Sequence, residues 1–191
     1  MNAAPNDSRE ESVSAARARQ KHDQEDFEAR LDEHRGIVFK LANAYCRARE
    51  ERDHLVQEIC LQLWRAFPRY DPERRFSTWM YRVALNTAIS FARTRQARER
   101  RSVPLDESLV PATSEPVRAS VERVGQLYRV MDGLGELERA LLLLYLEEHS
   151  YRDIAEVLGI SETNVGTKLN RLKLKIRREL APQEEAQDGT R

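Results

Sequence analysis

The chain is expected to be all-α, with two small helical domains joined by a flexible linker and a helix-turn-helix in the C-terminal one. Three observations lead there. Apolar residues recur at three- and four-residue intervals through most of the chain. Seven Gly, seven Pro and few alternating β-branched runs leave little room for a sheet. Ser150–Leu180, SYRDIAEVLGISETNVGTKLNRLKLKIRREL, reads as two helices joined by a tight turn.

The elements follow in order. Residues 1–24 are polar and charged, with Ala, Ser and Arg, and are expected to be disordered or frayed helix. From Asp26 the pattern turns helical, with Phe27, Leu31, His34, Val38, Leu41 and Tyr45 stepping by four and three. A second helix from Asp53 turns Val56, Ile59, Cys60, Leu63, Trp64 and Phe67 inward. Pro68 and Pro72 bracket a loop, and a third helix runs from Phe76 to about Arg95 with Phe76, Met80, Val83, Thr87 and Phe91 on its buried face. These helices make a first domain over residues 25–100. Residues 101–120 hold Pro104, Pro111 and Pro116 without periodicity, which is a linker rather than a loop of one compact domain. A second domain spans 121–181: a helix to Leu134, a turn at Gly135, then Glu136–Leu146, whose Leu141–Leu144 run must be buried. Residues 182–191 are expected to form a disordered tail.

Within Ser150–Leu180, Ser150 can cap the first helix, which places Ile154, Ala155 and Leu158 on one face. Gly159 supplies a position tolerant of positive φ, and Ile160 plugs the corner. Ser161 restarts a helix with Val165, Leu169, Leu172 and Ile176 inward. Small Ala155 lets the helices cross closely, and Val165 closes the core between them. This is a device for reading duplex DNA.

The formal net charge is zero, 32 basic against 32 acidic residues, but the charges are segregated. Arg65–Arg101 carries +7, ten Arg less three acids, and Thr163–Leu180 carries +5, six basic residues less one acid. Met131–Glu162 carries −6, two Arg less eight acids. Two basic segments suit two separate contacts with a polyanion. Cys46 and Cys60 lie in apolar periodic stretches without partners at ligand spacing and are expected to be reduced core residues. His22, His34, His54 and His149 do not cluster with acids or Cys, and no glycine-rich phosphate loop or nucleophile motif occurs, so neither enzyme chemistry nor a metal or other cofactor is expected. No run reaches the ~18 apolar residues of a membrane span, and the N-terminus is not signal-like, so the expected location is the cytoplasm.

Two segments of the first domain add a more specific signal. Asp53–Phe67, DHLVQEICLQLWRAF, offers polar Asp53, Gln57 and Glu58 beside apolar Leu55, Val56 and Ile59, a mixed surface suited to docking on another protein's helix. Arg69–Asn86, RYDPERRFSTWMYRVALN, continues to Arg95 with arginines and aromatics alternating. Opening a duplex needs groups that bind phosphate and groups that hold unstacked bases. Arg74, Arg75, Arg82, Arg93 and Arg95 suit the first need. Trp79 is assigned to the core in preference to base stacking, and Tyr81 is open to either role.

From Asp26 to Leu180 the chain resembles the extracytoplasmic-function (ECF) subgroup of bacterial RNA polymerase sigma factors, in its two domains, their order and the linker. The resemblance implies that residues 25–100 are sigma region 2 and residues 121–181 sigma region 4. It implies a partner in core RNA polymerase, through the clamp coiled coil of the large subunit, with Asp53, Leu55, Gln57 and Glu58 near the contact. It further implies that the third helix and its preceding loop melt and read the −10 element of promoter DNA, using Arg74, Arg75, Arg82, Asn86 and Arg93, with a flipped base near Asn86. The −35 element falls to the recognition helix, where Glu162, Asn164, Thr167, Lys168 and Arg171 are the groove-facing candidates and Thr163 can bind phosphate near the helix start. Lys173, Lys175, Arg177 and Arg178 lie where backbone contact or solvation is expected. The chain departs from the family in the loop Asp71-Pro72-Glu73-Arg74-Arg75, which lacks a common glycine, and at Gly166, where Lys is frequent. An anti-sigma protein is a further candidate partner. A stand-alone helix-turn-helix regulator is the alternative, but it leaves DHLVQE and FSTWMYRVALN without a role. A decoy that binds polymerase without initiating is a third reading.

Overall fold

A computed structural model describes residues 7–99, 130–131 and 133–180, with side chains described over 21–98, 130–131 and 133–178. The expected linker 101–120, most of the helix expected from 121, and the tail lie outside the described residues. Among the described residues the chain is helical: α1 (Asp7–Tyr45), α2 (Arg49–Ala66), a single 3-10 turn at Phe67–Arg69, α3 (Phe76–Glu99), α4 (Glu136–Leu146), α5 (Tyr151–Leu158) and α6 (Glu162–Leu180).

Helix α1 starts well before Asp26, at Asp7, so of the two expectations for residues 7–24, disorder or frayed helix, the chain there is helical. Their Ala, Arg, Glu and Gln content favours helix without any apolar stripe. The first buried side chain along the described part of α1 is Phe27, followed by Ile37, Val38, Leu41 and Tyr45. Helix α2 opens at Arg49, with Glu50 and Glu51 in its first turn, where carboxylates suit the positive end of the helix. Pro68, which lacks an N–H to continue the ladder, ends it, and the chain tightens into the 3-10 turn.

Leu41, Leu55, Ile59, Leu63, Met80 and Leu85 are almost fully buried where α1, α2 and α3 meet. Leu141, Leu144, Ile154, Val165 and Leu169 do the same for α4, α5 and α6. Cys46 is buried, Cys60 half-buried, and both are free thiols. Burial raises both above the ordinary thiol range, as expected of cysteines that serve packing.

The two groups of helices are docked on each other, and their buried residues form one continuous cluster. Consequently α3 is covered on two sides. The expected face Val83, Thr87 and Phe91 is only half-buried, whereas Tyr81, Ala84, Leu85, Ala88 and Ala92 are buried. Across the seam, the Tyr45 hydroxyl donates to the Glu136 carbonyl at 2.9 Å. Arg139 donates to the Ala44 carbonyl at 3.2 Å and lies 5.3 Å from the centre of the Tyr45 ring. Lys40 Nζ meets the Glu147 carboxylate at 2.6 Å.

Candidate nucleic-acid interface

Around the start of α3 an aromatic box fixes the loop and helix together. Phe27 meets Trp64 at 5.1 Å between ring centres, and Trp79 lies 5.2 Å from Phe76 and 5.1 Å from Tyr70. Trp79 is therefore a packing residue, as expected. Arg30 from α1 lies 5.8 Å from both the Tyr70 and Phe76 rings and is held by Asp26 at 2.8 Å. The loop before α3 closes on itself: Asp71 accepts from the Glu73 amide at 3.0 Å, and the Tyr70 hydroxyl donates to the Arg74 carbonyl at 2.6 Å. Without the expected glycine, this loop is braced by hydrogen bonds and ring contacts.

Arg74, Arg75, Arg82, Asn86 and Arg93 are all exposed. On α3, positions 82, 86 and 93 fall on one face, since four and seven residues are close to whole turns. The structure thus aligns two arginines and an amide along one exposed ridge, with Arg74 and Arg75 at its leading end. Arg95 is different: it turns back to Glu51 at 2.8 Å and to the Tyr45 carbonyl at 3.3 Å, tying α3 to α1 and α2. Tyr81, left open by the sequence, is buried with its ring centre 4.9 Å from that of His149, the two planes nearly perpendicular.

Of the residues expected at a polymerase contact, Asp53 and Gln57 are exposed and Glu58 is half-buried, holding the Gln62 amide at 2.7 Å. Leu55 is completely buried and belongs to the core, so it is no contact residue. Two residues apart on a helix is about 200°, which sets Leu55 opposite Asp53. Gln57 and Glu58 line one wall of a groove of about 1140 Å³, and Asn86, Ser90 and Phe91 line the facing wall. Residues assigned separately to protein and to DNA contact share one cleft. Leu61, which no sequence argument selected, stands 41% exposed there, and an outward apolar residue on α2 was its available signal.

The helix-turn-helix is built as its residues dictate. Ser150 accepts from the Asp153 amide at 3.1 Å while its own hydroxyl donates to the Asp153 carboxylate at 2.6 Å, holding that carboxyl below its ordinary range. Gly159 ends α5 at φ 67°, and the Ile160 amide closes on the Ala155 carbonyl at 3.1 Å. Ser161 then accepts from the Asn164 amide at 3.2 Å. Val165, Leu169 and Leu172 are buried, leaving Thr163, Asn164, Thr167 and Arg171 exposed and Lys168 half-exposed. Lys175, expected at backbone or in solvent, instead binds the Gly133 carbonyl and Glu138, each at 3.0 Å, and ties α6 to α4. Lys173 sits 4.2 Å from the centre of the Tyr145 ring.

An arginine-bearing helix beside a braced aromatic loop is thus followed, later in the chain, by a helix-turn-helix. The Sigma-70 region 2 family matches residues 31–98, and the Sigma-70 region 4 family matches residues 125–176, together more than half of the chain. The chain belongs to the sigma-70 family of transcription initiation factors, in its ECF subgroup. It is 26% identical over 153 residues to the ECF sigma factor SigE of Mycolicibacterium smegmatis, covering 78% of this chain and 59% of that relative's length. Against the ECF sigma-E factor of Escherichia coli, identity is 26% over 177 residues, covering 85% of this chain and 91% of the relative. Among solved structures, the sigma factor RpoE bound to the anti-sigma factor NepR from Bartonella quintana matches with TM-score 0.63 at 15% identity, over 82% of this chain and 99% of that one. CnrH in complex with the cytosolic domain of CnrY matches with TM-score 0.60 at 22% identity, over 82% and 88%. The chain is a promoter-directing sigma factor. Among the described residues no helix is long and apolar enough to cross a membrane.

Proposed function

We propose that the chain binds core RNA polymerase through Asp53, Gln57 and Glu58 on α2, acting in the cytoplasm. It reads the −10 element with Arg74, Arg75, Arg82, Asn86 and Arg93, and the −35 element with Thr163, Asn164, Thr167, Lys168 and Arg171. It contributes promoter specificity and strand opening, and catalysis stays with the polymerase. The observation that carries this reading is the aligned exposed ridge Arg82, Asn86 and Arg93, led by Arg74 and Arg75. Arginines there neutralise phosphates, and an amide can hold the edge of an unpaired base. On α6 the exposed polar residues occupy the N-terminal half, the part of a recognition helix that meets base edges. An anti-sigma partner is supported by the two solved complexes of similar fold, each pairing a sigma chain with such a protein.

Promoters mapped by overexpression supply the template for the test. Run-off transcription with core polymerase is expected to fall at least tenfold for Asn86→Ala and for Arg171→Ala, with co-elution with core retained. A variant of Asp53 and Gln57 together is expected to lose co-elution. Full transcription from both DNA variants would remove the residue assignments.

A further inference from the structure

The loop between the 3-10 turn and α3 carries two of the arginines assigned to −10 DNA, and Asp71 through Arg75 are all exposed. An exposed loop with few packed side chains is ordinarily mobile. This one is closed from within. The Arg74 amide donates to the Asp71 carbonyl at 3.0 Å, and the Glu73 amide donates to the Asp71 carboxylate at 3.0 Å. Asp71 at the first position and Pro72 at the second are the residues such a turn prefers, since proline presets φ there. The Arg74 carbonyl is then taken by the Tyr70 hydroxyl at 2.6 Å. Arg74 is thus fixed at both its amide and its carbonyl. Its guanidinium, 59% exposed, stands beside Asp71 at 3.7 Å and Glu156 at 2.9 Å, and the side chain is the part left to swing.

The hydroxyl that closes the loop is itself immobilised. The Tyr70 ring lies nearly parallel to Phe67 at 6.0 Å, edge-on to Phe76 at 5.3 Å, and 5.1 Å from Trp79. Arg30 of α1, gripped by Asp26, adds a cation 5.8 Å from the ring centre. Side chains from α1, α3 and the 3-10 turn therefore aim one hydroxyl, and a ring caged in this way loses little further freedom in making its bond.

We propose that Tyr70 is a positioning residue for −10 recognition: its hydroxyl pins the backbone of Arg74, so that the guanidinium swings onto promoter phosphate from a fixed point. The proposal rests on the assignment of Arg74 to −10 DNA and adds to it a residue that touches no DNA itself. A loop already in its binding shape avoids the entropy cost of being ordered on the DNA. Where the family commonly has a glycine, this chain takes the opposite course, with Pro72 stiffening the turn and Tyr70 closing it.

Tyr70→Phe keeps the ring, and with it the packing, and removes only the hydroxyl. The full chain bound to core polymerase is titrated onto a labelled fragment of a mapped promoter with the −10 segment left unpaired, and fluorescence anisotropy reads the affinity. Y70F is expected to bind about two- to tenfold more weakly than the parent, the factor for one hydrogen bond, with co-elution with core unchanged. R74A is expected to weaken binding as well. Because the hydroxyl acts through Arg74, Y70F/R74A is expected to bind no more weakly than R74A alone, whereas a general loosening of the fold would subtract a second time. Y70F binding like the parent while R74A is weakened would overturn the pin and leave Arg74 on the −10 element. A double variant weaker than R74A by the whole Y70F factor would overturn it too. An R74A complex that binds like the parent would remove the Arg74 assignment, and the pin with it.

Discussion

Gly166 shows how a single missing side chain is read. A Cβ built there would lie 3.5 Å from Cε2 of Tyr151, an ordinary contact, so a methyl group fits while a longer side chain has to displace the ring. Gly166→Ala is therefore expected to stabilise the protein by about 1 kcal/mol, the cost of glycine inside a helix. A thermal melt checks it, and a lower Tm would show that the Tyr151 contact is already tight. Where the family often has Lys, this chain has placed an aromatic ring. The sequence named the position as unusual but could not show the ring, because residues 151 and 166 meet only through the turn. Leu55 teaches the converse. Its place beside Asp53 in the motif suggested a shared contact, whereas helical geometry alone assigns it to the opposite face.

At the level of elements, the caps and the turn glycine were legible because each acts within a few residues. Ser150→Ala removes both hydrogen bonds of the Ser150 hydroxyl, leaving the amide of residue 150 on the Asp153 carboxylate, and is expected to cost about 1 kcal/mol. Equilibrium denaturation monitored by circular dichroism would register it, and a change near zero would mean that packing alone holds α5. Helix α3 was legible only in part. Its contact with α1 and α2 leaves a periodic trace, but its second covered face is made by α4 and α5, which begin 37 residues after α3 ends (136 − 99), and alanines there carry little apolar signal. The early start of α1 was missed for a related reason: good helix formers without an apolar stripe look like a solvated tail.

The whole molecule turns on the docking of its two halves. Two neighbouring rings at the seam titrate from opposite directions. Burial lowers the His149 pKa; Asp153 and Glu147 oppose this, and Arg75 and Lys40 reinforce it. Neutral His149 is thus favoured in the docked form, the open form takes up more protons, and docking weakens as pH falls through the ordinary histidine range. Burial, with Glu147 beside it, pushes Tyr81 up to about 12, so docking also weakens as pH rises from 10 toward that value. Scattering across pH is expected to show the smallest radius between these limits, and a compact form indifferent to acid would remove His149 from the seam's energetics. The zero net charge gave no hint of this, since opposite charges that cancel in a sum can equally be apart or in contact. The aromatic box has one more consequence, for spectroscopy. The chain's two tryptophans, Trp64 and Trp79, both belong to that box, and residues 121–181 contain none. Indole emission therefore reports on the first domain alone, so the unfolding of one half can be followed in the intact chain without attaching a dye.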